Sequence, residues 1–128
     1  MSAPRIAFEY FVLRCVPRVE REEFLNVGVV LLAQETDYLG CACDVRAERV
    51  RAMAPDVDLE ALHAGLVVVD AVCRADPSAG PVAAESPRAR FGWLSAPRST
   101  VVQPGPVHAG LTEDPAAELT RLLARLVR

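Results

Sequence analysis

Three residues in the first quarter of the chain could hold an anion. Arg14 ends the apolar run "YFVLR", and Asn26 and Gly28 interrupt the otherwise apolar stretch "FLNVGVVLL". Side chains alternate along a strand, so Phe24, Asn26, Gly28, Val30 and Leu32 share one face. Ile6, Phe8, Tyr10, Val12, Arg14 and Val16 share a face of the preceding run. A hairpin closing symmetrically around residues 18–20 makes Arg14 and Asn26 diagonal neighbours, and Gly28 leaves open space beside them. Buried and unpaired, such polar groups would cost ~1–3 kcal/mol each. They therefore need partners, and two sets are available. In a structural network Glu9 or Asp44 pairs with Arg14, Asn26 ties down a loop and Gly28 marks a β-bulge. In a pocket, the partner is a phosphate or carboxylate.

A second constellation lies in "RARFGWLSAPRSTVVQP". Arg98, Ser99 and Thr100 offer a guanidinium, two hydroxyls and backbone amides, a set suited to an anion but without the glycine spacing of a phosphate loop. An ordinary solvated arginine at a strand start has the same pattern. Trp93, the single tryptophan, is expected as a core anchor, and His108 as a loop histidine without a catalytic partner. No Ser/His/Asp order, nucleotide fingerprint or diagnostic carboxylate pair can be assigned. Glu22 and Glu23 are adjacent and face opposite ways on a strand. Cys15, Cys41, Cys43 and Cys73 form no C-x-x-C pair, and His63 and His108 add no ligand spacing, so no metal or cofactor is expected.

The elements that must position these residues are legible in outline. Residues 6–16, 23–33 and 38–45 read as three strands joined by short polar connections, hence an antiparallel meander. Residues 47–53 are a candidate short helix. Asp58 can cap a helix in which Leu59, Leu62, Leu66, Val69 and Cys73 recur at helical spacing, with Asp70 and Arg74 paired on its polar side. Residues 76–87 are an irregular connection. Ser86 and Pro87 start a short helix ending near Gly92. Val101 and Val102 can add a strand, and Pro104 and Pro106 confine the next residues to an edge or loop. Asp114 and Pro115 open a last helix with Leu119, Leu122, Leu123 and Leu126 in one stripe. The expected fold is α+β: an antiparallel sheet of about four strands with helices packed on one face, in a single domain over residues 1–128.

Composition narrows the function classes. A net charge of −3 and 5% aromatic residues argue against general nucleic-acid binding. All fourteen basic residues are arginine, planar forks suited to carboxylate or phosphate. No apolar run approaches the ~18 residues of a membrane span, and the first residues do not read as a targeting segment. A cytoplasmic protein is expected.

The combination "YFVLRCVP", "REEFLNVGVVL", "RFGWLSAPRSTVVQP" and "VHAGLT" resembles the bacterial family catalogued as domain of unknown function 3037. Arg14, Glu23, Asn26, Val27, Gly28, Trp93, Pro97 and Arg98 match its characteristic positions, while Cys15 stands where an aromatic residue is common. The resemblance implies a small cytosolic bacterial protein. It also implies, in some genomes, a neighbourhood shared with HipA-like kinase-fold proteins, which suggests a protein partner. Two functions are compatible with these residues: a non-enzymatic interaction or regulatory module, with a HipA-like kinase-fold protein as candidate partner, and an anion- or phosphate-binding or phosphoester-processing protein. The second would use Arg14, Asn26, Gly28, Arg98, Ser99 and Thr100.

Overall fold

The computed structural model describes residues 3–128. Its first three strands, β1 (Ile6–Cys15), β2 (Leu25–Ala33) and β3 (Tyr38–Cys43), form the expected antiparallel meander. The free side of β1 is shared by two short strands. β4 (Val102–Pro104) pairs with its C-terminal end and β5 (His108–Thr112) with its N-terminal half. The sheet thus has five strands in the order β3-β2-β1-β4, with β5 also on β1. Pro104 ends β4 and Pro106 lies beyond it, on an edge where no ladder hydrogen bond is lost.

Among the described residues, four α-helices complete the fold: α1 (Ala47–Met53), α2 (Leu59–Cys73), α3 (Pro87–Ser95) and α4 (Pro115–Leu126). Asp58, Ser86 and Asp114 cap three of them, accepting the amides of Ala61, Ala89 and Ala117 at 3.0, 3.1 and 3.2 Å. Each such cap contributes about 1 kcal/mol. α3 runs past its expected end at Gly92 to Ser95, because Phe91 and Leu94 are both buried and hold the intervening turn helical. Among the described residues, no helix is long and apolar enough to cross a membrane.

The helices were expected on one face and instead divide between both. β2 explains this: every residue from Val27 to Ala33 is buried, so its two alternating sets each need cover. On one side Phe11, Leu13, Val30 and Leu32 pack with Leu62, Leu66, Val69 and Val72 of α2 and with Phe91 and Leu94 of α3. On the other, Phe8, Val29 and Leu31 pack with Leu119, Leu122 and Leu123 of α4. Phe11 is fully buried, with its ring centroid 5.3 Å from that of Phe91. Burial of one such side chain stabilises by roughly 1.5–3 kcal/mol.

The β1–β2 register carries a bulge. Leu13 lies opposite Gly28, but Arg14 lies opposite Asn26, so Val27 is the extra residue. The bulge corrects simple alternation in two ways. Arg14 and Asn26 are directly opposed rather than diagonal, and Gly28 falls on the other face of the sheet, with Leu13.

Candidate functional site

Arg14 is flanked by strands on both sides, opposite Asn26 of β2 and Gln103 of β4. Its guanidinium carbon lies 3.9 Å from the Phe24 ring centroid. A Cβ on Gly105 would stand 3.2 Å from its Nε, so the backbone at residue 105 covers that atom. The Nε is buried and has no hydrogen-bond partner among the described residues. Neither expected acid supplies one. Asp44 is held by Arg128 at 2.8 Å, and Glu9 pairs with Arg88.

Asn26 is engaged internally. Its Nδ2 donates to the carbonyl of Leu126 at 3.1 Å, tying β2 to the end of α4. Arg49 reinforces the same end, donating to the Val127 carbonyl at 3.4 Å, where a cation also suits the helix dipole. Gly28 opens no space. A Cβ there would lie 2.9 Å from both the Ala42 carbonyl and the Cys43 sulfur, so the glycine permits close approach of β3.

Arg98 follows α3 and lines both the groove beside α2 and a cleft with Gln103 and Gly105, which flank Arg14. Its guanidinium lies 4.4 Å from the Trp93 ring centroid and donates to the Trp93 carbonyl. Burial holds its pKa below the usual arginine value. Trp93 is not the core anchor expected of it. It is 44% exposed, while Phe91 and Leu94 anchor α3. Ser99 is exposed, and the Thr100 hydroxyl donates to Val102 at 2.7 Å. Of the six candidates, then, Arg14 and Asn26 oppose each other, Gly28 lies on the other face, and residues 98–100 follow α3 without a hydrogen bond to Arg14 or Asn26 among the described residues.

His108 and two of the cysteines are engaged elsewhere. His108 lies on β5 with its ring stacked on Tyr10, centroids 5.2 Å apart. The Cys41 thiol donates to Asp70 at 3.5 Å. Contact with the Cys43 thiol pulls the Cys41 pKa down, but Cys73, burial and Asp70 outweigh it and push the pKa well up. The Cys43 thiol is pushed well up by Cys41, then by burial and Asp70. Both are poor nucleophiles at neutral pH. Among the described residues, no His, Cys, Asp and Glu cluster of three or more is arranged to hold a metal.

Sequence reasoning passed over Arg90. It is 7% exposed, and its Nη1 donates to the carbonyls of Val72 and Cys73, each at 2.8 Å, while its Nε donates to Glu85 at 3.1 Å. It therefore closes the C-terminal end of α2 from α3. The available signal was its place beside Phe91 on a helix directed at the core.

One family model, described as a protein of unknown function (DUF3037), matches residues 10–127. No curated protein and no solved structure matches the chain.

Proposed function

The chain belongs to the DUF3037 family of proteins of unknown function, and we propose that it is a non-enzymatic interaction or regulatory module that receives a partner at the open edge of its sheet. The observation that carries this reading is β3. Among the described residues it is a terminal strand and pairs only with β2. Its six residues, "YLGCAC", include no charge and no proline. Edge strands are ordinarily guarded by charged residues, prolines or bulges, because free backbone groups template further pairing. An unguarded edge suits a partner that adds a strand and lodges alternate side chains in a neighbouring pocket. A cleft of about 390 Å³ adjoins this edge, with Cys43 and Val45 on one wall and His63 and Val67 of α2 on the other. Val67 is 65% exposed there.

A HipA-like kinase-fold protein is the first partner to test, on the strength of the family resemblance. Co-expression should give a complex that co-elutes. Val67→Glu should weaken it about tenfold, the equivalent of 1.4 kcal/mol, without lowering the melting temperature. A chain that ignores the neighbouring protein at micromolar concentration removes this partner. A complex indifferent to Val67→Glu removes the β3 edge as its site.

The Arg14 Nε favours a second reading, in which an anion or phosphoester binds beside Arg14 and Asn26. Among the described residues no protein group accepts from this buried Nε, and a guanidinium opposite an amide is a donor set suited to an anion. Inorganic phosphate and nucleotides should then raise the melting temperature of the native chain and leave that of Arg14→Met unchanged. The same rise in both chains, or none in either, ends this reading.

A further inference from the structure

On the opposite side of the molecule from α4, a groove runs between α2, α3 and β4, enclosing about 550 Å³. This falls within the ~300–1,000 Å³ of small-molecule sites, which are mostly apolar with a few placed polar groups. Its floor exists because the facing α2 residues are small. A Cβ on Gly65 would come 2.7 Å from the Val102 side chain, so the glycine lets α2 pack close to β4 there. Ala61 and Ala64 extend that floor, Val68 forms one side, and the exposed Trp93 ring forms the opposing wall.

Arg98 is the one charged residue lining the groove. Among the described residues its guanidinium pairs with no carboxylate and makes one protein hydrogen bond, to the Trp93 carbonyl. A guanidinium carries five N–H donors in a planar fork, so donors remain for a further acceptor. Held over the indole and partly out of water, it would meet an incoming carboxylate with a charge-assisted pair of hydrogen bonds. The walls beyond it suit a polyanion poorly, since they present aliphatic and indole surface apart from Thr100, whose hydroxyl donates to the Val102 carbonyl.

We propose that this groove binds an amphipathic carboxylate, its apolar body between Trp93 and the small-residue floor of α2 and its carboxylate on Arg98. The site is separate from the β3 edge and from Arg14. A chain that takes up such a ligand but no protein partner fails one reading and not the other.

Trp93 is the chain's single tryptophan, so its fluorescence reports on the groove directly. Titration with decanoate should change the emission saturably, whereas acetate and inorganic phosphate should not. Decanol should bind more weakly than decanoate. Arg98→Gln should cost about tenfold in decanoate affinity and leave decanol unchanged, as loss of a charge-assisted contact requires. Ala64→Leu, at an exposed position, should fill the groove and abolish both responses. The proposal is overturned if decanoate gives no saturable change, if decanoate and decanol bind the native chain equally, or if Ala64→Leu leaves binding intact. A response to acidic helical peptides, with none to decanoate, would assign the groove to a protein ligand instead.

Discussion

Arg14 and Arg98 each lay a guanidinium over an aromatic ring, 3.9 Å from the Phe24 centroid and 4.4 Å from that of Trp93. The chemistry is shared and the support differs. Arg14 belongs to a strand with paired neighbours on both sides, and the backbone at Gly105 covers its Nε. Register alone fixes its place. Arg98 comes after the end of α3 on irregular chain, and the ring and one carbonyl hold it. A cation locked by strands can serve only a ligand that comes to it. A cation at the rim of a groove can turn toward a ligand that enters. On the two proposals above, a compact anion would meet the first and a long amphipathic carboxylate the second.

A third arginine sets the scale. Arg90 is buried, and its three hydrogen bonds go to backbone carbonyls. Arg90→Met keeps most of the stem volume and strips those bonds, leaving the end of α2 with unmet carbonyls. Hydrogen bonds to charged groups are worth about 1.5–3 kcal/mol, so urea unfolding should show a loss of roughly 3 kcal/mol. A loss below about 1 kcal/mol would mean that water caps those carbonyls equally well. Arg90 would then no longer stand as the arginine of the comparison that is held by the fold.

How much could be read from residues alone depends on how locally each feature is determined. The three capped helices were legible because Asp58, Ser86 and Asp114 act on amides three residues away. The meander was legible because its connections are short and its strands rich in aromatic and β-branched residues. The bulge was not. One extra residue at Val27 depends on how β2 meets β1, and it moved Gly28 to the far face while leaving Asn26 beside Arg14. The division of helices between two faces was hidden for a related reason. A fully apolar strand such as Val27–Ala33 carries no period to say which side is covered. Trp93 misled because the size of an indole predicts burial, whereas its helix turns Phe91 and Leu94 inward. Of the candidate site, the shared face of Arg14 and Asn26 was foreseen but not their direct opposition, which the bulge creates, and the placement of Arg98 with Trp93 could not be without the path of the chain after α3.

The smaller effects bear on Arg14 itself. Asn26→Ala removes one hydrogen bond, to the Leu126 carbonyl at 3.1 Å, and should cost about 1 kcal/mol. Arg14→Met removes no hydrogen bond found among the described residues and keeps its stem against Phe24. It forfeits a cation–π contact of about 0.5–1 kcal/mol at a partly exposed ring, and it also relieves the buried, unpaired Nε. In phosphate-free buffer Arg14→Met should therefore unfold at a urea concentration closer to the native chain than Asn26→Ala does. If Arg14→Met proves the more damaging of the two, the guanidinium has a partner within the fold. The physical reason for expecting an anion beside it then disappears.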